Sequence, residues 1–211
     1  MIQVIASSAG RTVSSFPLDH GADPEAILAA RGWRPWAVTV EGRSPDLTLR
    51  YSVEPGPSGA IPVVQPVVEP SFQRIAAYVV VIADGTLLLT EGNWPVPGRP
   101  HWLLPGGGVD PGEEIGDAVV RETWEETGQR IEQVQLVRVS TTRRIGDAPD
   151  KRLARDFHAV RLLHRATCPA PTEPVVHDVG GSTASARWVP IDRLDEYDLL
   201  PWIRPAVGHL L

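Results

Sequence analysis

Apolar and polar positions alternate in short runs over residues 1–53. They give way to a proline-broken apolar run over 54–70, then to long, nearly continuous apolar runs from residue 72 onward. Residues 2–5 and 12–16 predict two strands around a Gly10-Arg11 turn, with Pro17 closing the second. Asp23 suits an N-cap, Pro24 the first helical position and Glu25 the positive end of the helix dipole. A short helix through residues 26–31 follows, with Gly32 as its stop. Residues 36–40 and 47–53 predict two more strands joined through Gly42 and Pro45. The first 53 residues therefore read as a small β-β-α-β-β domain of α+β type. It carries no catalytic cluster.

Pro55, Pro57, Pro62, Pro66 and Pro70, with Gly56 and Gly59, mark residues 54–71 as a linker. Its apolar members Ile61, Val63, Val64, Val67 and Val68 predict an extended segment lying on a surface, its own or that of a neighbouring subunit. Residues 75–82 then form an apolar run expected of a strand buried on both faces. Asp84-Gly85 predicts a tight hairpin turn and residues 86–90 the returning strand. Residues 92–100 read as a loop with Trp94 near its centre. Half-buried strands are expected over 134–139 and 157–163. The loop between them holds Arg143, Arg144, Lys151, Arg152 and Arg155, interspersed with Asp147, Asp150 and Asp156. A long connection at 166–186, a short strand at 187–191 and a C-terminal helix over 199–211 complete the pattern. Strands mixed with two helices over 72–211 suit an α/β sandwich.

Composition narrows the class. The 211 residues are 42% hydrophobic and 22% charged, as in an ordinary globular protein. A net charge of -6 argues against a nucleic-acid coat or an anionic membrane surface as partner. The single cysteine, Cys168, excludes a disulfide framework and a thiolate metal cluster. No run approaches a membrane span, and the N-terminus lacks a basic region followed by an apolar core. A cytoplasmic location is expected.

The chemistry concentrates in residues 106–128, GGGVDPGEEIGDAVVRETWEETG. At ~100° per residue, Glu122, Glu125 and Glu126 fall within an arc of about 100° on one helix face. Three carboxylates so placed repel one another, and a hard divalent cation with oxygen ligands is the natural counter-charge. A solvated acidic face is the plain alternative. Val120 and Trp124 form an i,i+4 apolar pair off that face, suited to core packing or to a subunit contact.

The spacing decides between these readings. Gly107, five residues, Glu113, seven residues and then Arg121-Glu122-Thr123-Trp124-Glu125-Glu126-Thr127-Gly128 resembles the Nudix box of the Nudix hydrolases. Thr123 and Gln129 stand where the family has aliphatic residues, which bears on core packing rather than chemistry. Asp110 replaces the more usual glutamate.

The resemblance covers about residues 72–211 and implies a Nudix-type α/β/α sandwich with a mixed sheet. It implies Mg²⁺-dependent, or Mn²⁺-dependent, hydrolysis of a nucleoside diphosphate linked to another moiety. Glu122, Glu125 and Glu126, with the Gly106 carbonyl, match the metal ligands, and Glu125 is one choice of general base. Glu173, His177 and Asp178 lie where many members place a later acid or histidine for that role. Arg121 and Glu113 match the pair that holds the box loop on its helix. Arg143, Arg144 and Trp94 are candidates for phosphate and base contacts. A proline about 15 residues past the box, a mark of many ADP-ribose hydrolases, is replaced by Arg144. Ile145, Gly146 and Asp147 stand where dinucleoside-polyphosphate hydrolases often have tyrosine. The expected partner is therefore an unspecified nucleotide. A homodimer built through residues 1–70 is also compatible with the pattern. The competing reading is a catalytically silent Nudix domain that senses a nucleotide ligand.

Overall fold

The computed structural model describes residues 1–93, 101–146, 155–178 and 180–208. Among them the strands form two sheets of a mixed α/β fold. The first contains β1 (Ile2–Ser8), β2 (Arg11–Pro17), β3 (Trp33–Arg43) and β4 (Asp46–Pro55), in the order β2-β1-β4-β3. β1 and β4 are parallel, while the β1–β2 and β3–β4 pairs are antiparallel. The second sheet contains β5 (Ser71–Ala83), β6 (Thr86–Gly92), β9 (Glu132–Ile145), β10 (Asp156–Thr167) and β11 (Thr183–Pro190), in the order β11-β6-β5-β10-β9. The short strands β7 (Trp102–Leu103) and β8 (Gly106–Gly108) pair with β6 and β5.

Local chemistry explains the well-anticipated elements. Helix α1 (Pro24–Ala30) starts at Asp23, whose carboxylate accepts the Ala26 N–H at 2.8 Å. Asp84 and Gly85 both have positive φ, 48° and 73°, the geometry of the tight turn that matches strand twist. Residues 75–81 of β5 are buried apart from half-exposed Tyr78, as expected of a strand covered on both faces, whereas Ile82, the last residue of the expected run, is 37% exposed. Helix α2 (Ile115–Thr127) carries the box residues.

Four expectations are corrected. β9 continues to Ile145, so Arg143 and Arg144 lie on a strand rather than in the expected loop. Thr141, Thr142 and Ile145 are β-branched, which favours that continuation. β11 begins at Thr183, because small residues 183–186 pair with Gly92, Glu91 and Thr90 of β6. Of the C-terminal helix expected over 199–211, the described residues form only the single-turn helix α3 (Ile203–Val207), which a 3-10 turn at Ile191–Glu196 precedes, and residues 209–211 lie outside those described. Val120 and Trp124 are 44% and 43% exposed, so they are not core.

The chain divides into two compact units. One is Met1–Ala76 with Gly108–Ile115 and Leu136–Leu162; the other is Ala77–Gly107 with Gly116–Gln135 and Leu163–Leu211. The core of the first includes Ile2, Val4, Leu28, Leu47, Leu49 and Tyr51, and that of the second Val79, Leu87, Leu88, Leu89, Leu104 and Ile203.

Within the first unit, a buried ion pair fastens the proline-rich segment to its own chain. Asp156, with its side chain fully buried, accepts from Arg143 Nε at 2.8 Å, from Arg143 Nη2, from the Val68 N–H at 3.0 Å and from His20 Nε2 at 3.0 Å. Arg143 donates further to the carbonyls of Gln65 and Pro66 at 2.6 and 2.8 Å. The Arg143 hydrogen bonds, above all, hold the Asp156 carboxyl far below its usual range. Gly56 and Gly59 add main-chain bonds to Gly32 and Ala29. Breaking a buried pair from one side is costly, since it strands the other charge. Asp156→Ala is expected to lose about 3 kcal/mol of folding stability, at the low end for buried pairs because Arg143 keeps its carbonyl partners. Urea unfolding measures this; a loss below ~1 kcal/mol would mean that water already screens the pair.

Candidate active site

Gly106, Gly107 and the acidic helix face are built against one another within the second unit. Gly106 has φ 137°, and a Cβ there would sit 2.1 Å from the Ala77 carbonyl oxygen and 2.7 Å from Tyr78 Cα. Only glycine allows this approach to β5. At Gly107 a Cβ would fall 2.8 Å from the carboxylate atoms of Glu122. The missing side chain is thus the space that Glu122 occupies.

Arg121 Nη1 donates to Glu122 Oε1 at 3.0 Å and to Glu125 Oε2 at 3.1 Å. One cationic atom therefore lies between these two carboxylates. The side chains of Glu122 and Glu125 are 16% and 36% exposed, so the face is partly open.

Glu126 is only 4% exposed and points inward. Its Oε2 accepts the Gly106 N–H at 2.9 Å and its Oε1 the Thr183 hydroxyl at 2.5 Å. Burial pushes this carboxyl up to about 7, against the pull of those two bonds, and the negative charges of Glu122 and Asp178 act in the same direction as burial. Among the described residues, no three His, Cys, Asp or Glu side chains form a ready metal-holding group.

The connection after β10 closes the end of α2. The Val175 N–H donates to the Thr127 carbonyl, and the His177 and Asp178 N–H groups both donate to the Glu125 carbonyl, at 3.0, 2.7 and 3.0 Å. These bonds satisfy carbonyls that a helix end leaves open. They bring His177 and Asp178, but not the exposed Glu173, to the acidic helix. Trp124 stacks on the His177 ring, with centroids 4.4 Å apart and planes 12° apart. The sequence held the signal for this pairing only as two separate aromatic residues.

The two departures from the box are satisfied. Thr123 is fully buried and its hydroxyl donates to the Val119 carbonyl at 2.7 Å. Gln129, 1% exposed, donates to the Thr127 carbonyl and the Thr172 hydroxyl, both at 3.1 Å, and accepts the Thr172 N–H at 3.0 Å.

The remaining candidates are placed as follows. Glu113 accepts the Asp110 N–H at 3.0 Å within the box loop. Arg143 has four donor contacts committed to Asp156, Gln65 and Pro66, so a role as a phosphate clamp is at odds with its placement. Arg144 is exposed on β9. Trp94 lies outside the described residues.

Comparison with known proteins agrees with this geometry. The family description "NUDIX domain" matches residues 72–210. The chain is 30% identical over 129 residues to an m7GpppN-mRNA hydrolase of Bos taurus, covering 51% of this chain and 43% of that protein. It is 50% identical over 38 residues to an RNA pyrophosphohydrolase of Cereibacter sphaeroides, covering 18% of this chain and 24% of that protein. The chain thus spans less than half the length of these curated relatives. The crystal structure of a MutT NUDIX hydrolase from Burkholderia pseudomallei superposes with a TM-score of 0.51 and 28% identity, covering 66% of this chain and 99% of that one.

Glu126 makes a pH-dependent contribution. Between about pH 4.5 and 7 the unfolded chain ionises this group while the folded chain keeps it protonated. Its contribution to stability is therefore present at low pH and lost as pH rises through about 7. In EDTA, the melting temperature of the wild type should fall relative to that of Glu126→Gln between about pH 5 and 8. A difference that stays constant over that range would contradict the placement of Glu126.

Proposed function

Because the chain belongs to the Nudix family, we propose that it hydrolyses a nucleoside diphosphate linked to a second group, using water and a divalent cation, Mg²⁺ or Mn²⁺. The observation that carries this reading is the convergence of Glu122, whose carboxylate fills the space left by Gly107, and Glu125 on one cationic atom of Arg121. Their hard oxygen donors suit such an ion, which when bound supplies charge neutralisation and a more acidic water. Glu122, Glu125, Glu126 and the Gly106 carbonyl would hold it. The names of the relatives, a pyrophosphohydrolase and an m7GpppN hydrolase, support a phosphoanhydride as the bond broken.

The chain's own residues account for the rest. Arg121 holds Glu122 and Glu125 in register and screens their repulsion. Glu126, fixed by Gly106 and Thr183, ties the glycine run to the helix. Glu113 keeps the box loop folded through the Asp110 N–H. Glu125 takes the proton of the attacking water, and the bonds from the His177 and Asp178 N–H groups steady the helix end that carries it.

A panel of nucleoside diphosphate derivatives, assayed for phosphate or nucleotide release with Mg²⁺ and with Mn²⁺, tests the reading. EDTA should abolish turnover, and Glu125→Gln should lower kcat by ~10² or more, the usual effect of removing a group that stabilises the transition state. Full activity in that variant would remove Glu125 from the site. Tight binding without turnover across the panel would favour the silent sensor.

A further inference from the structure

The segment that closes the end of α2 has no regular structure, yet it docks with a defined geometry wholly within the second unit. Thr172 is tied down by Gln129 and by the Trp188 indole N–H, which donates to the Thr172 carbonyl at 2.9 Å. Residues 175–178 lie further along and reach α2 through main-chain bonds to the Thr127 and Glu125 carbonyls. Water satisfies the open carbonyls of a helix end nearly as well, so such bonds alone hold a segment weakly. Seating it needs a contact that water cannot replace.

Trp124 provides that contact. It stands half-exposed on α2, and its ring meets His177 with centroids 4.4 Å apart and planes 12° apart. Nearly parallel rings at this spacing are a stacked pair, whose attraction adds to the burial of the two facing surfaces. The helix end is shaped to receive the partner. Gly128 has φ 69°, and a Cβ there would lie 3.1 Å from both His177 Nε2 and the Val175 carbonyl oxygen. Left-handed backbone and close approach both call for glycine at this position.

The docked segment also carries a carboxylate toward the acidic face. Asp178 follows His177 directly, and its side chain fills the space of a Cβ on Gly181, which would lie 1.5 Å from Oδ2 and 2.3 Å from Cγ. The Gly181 N–H donates to the Asp178 carbonyl at 3.2 Å, two residues before Thr183, the partner of Glu126. From there the negative charge of Asp178 reaches Glu126 and helps to push its carboxyl up. The main-chain N–H groups of His177 and Asp178 meanwhile fix the Glu125 carbonyl. Unseating the segment therefore changes both the last turn of α2 and the charge around Glu126.

We propose that Trp124 is a positioning residue for the acidic site: its stack on His177 keeps residues 175–178 seated on α2, and thereby sets how tightly Glu122, Glu125 and Glu126 hold a divalent cation. The stack acts without touching the ion, through the Glu125 carbonyl and the Asp178 carboxylate. That the ion serves hydrolysis rests on the reading of the chain as a hydrolase; the seating of the segment does not.

Mn²⁺ titration of the full chain without substrate, read from the paramagnetic resonance of the free ion, tests the clamp apart from turnover. Trp124→Ala and His177→Ala should each weaken Mn²⁺ binding about tenfold, the low end of the loss when a group that orients metal ligands is removed. The double variant should bind no more weakly than either single one, because both remove the same stack. Trp124→Phe and His177→Phe should restore most of the affinity, since each keeps two stacked rings. In the wild type the carbon-bound ring protons of His177 should resonate upfield of those of a solvated histidine, and Trp124→Ala should erase that shift. A merely structural role would lower the melting temperature of Trp124→Ala and leave Mn²⁺ affinity unchanged. That outcome, additive losses in the double variant, or no recovery in the Phe variants overturns the proposal. Turnover of the diphosphate panel with Mn²⁺ affinity unmoved by Trp124→Ala would sink the clamp and leave the hydrolase standing. Mn²⁺ affinity that tracks Trp124 without any turnover would do the reverse.

Discussion

A carboxylate removed from water must be given donors or lose its charge, and Glu126 is the group through which the glycine run, α2 and β11 are joined. Charge-assisted hydrogen bonds contribute about 1.5–3 kcal/mol each, and Glu126 receives two, from Gly106 and Thr183. Its carboxyl is still pushed upward, so burial outweighs both bonds. An additional positive charge near this face would reverse the balance. The same constraint explains the glycines. Gly106 must approach β5 closely for its N–H to reach Glu126, and Gly107 must lack a side chain for Glu122 to fit. Helix face and glycine run are therefore one arrangement, and neither would keep its geometry without the other.

Much of this was legible because the causes are local. The N-cap at Asp23, the hairpin at Asp84-Gly85 and the acidic face of α2 each depend on residues within one turn or one helix. What the pattern missed depends on partners far along the chain. β11 starts at Thr183 because β6 offers partners to small residues that have no strand rhythm of their own. The C-terminal helix shortens around Pro201 and Pro205, and periodicity alone overstated its length. Trp124 looked like core because it stands four residues from Val120. Its actual neighbour, His177, arrives from a connection with no regular structure.

Charged residues show the same limit from another side. Arg143 and Arg144 are adjacent and indistinguishable by type, yet one is buried in an ion pair and the other faces solvent. The difference comes from strand alternation together with Asp156 and the carbonyls of Gln65 and Pro66. The fully engaged guanidinium explains why a segment with five prolines stays on its own chain without strand pairing. Thr123 and Gln129 make the complementary point. Polar residues at positions suited to aliphatic ones cost little when each finds a partner, as both do here.

The N-terminal sheet is usefully viewed through the β3–β4 turn. That turn exchanges two main-chain bonds with the box loop, and Arg43 adds side-chain bonds to Gly112 and Glu114. Main-chain bonds from both partners fix register, whereas a side-chain contact alone would allow sliding. The loop that leads from Gly108 into α2 is thus held from outside the family region that begins at residue 72. The compact unit containing the sheet also includes residues 108–115, in keeping with this attachment. A sheet without catalytic residues in this way sets where the loop stands, through main-chain bonds and not through side chains alone.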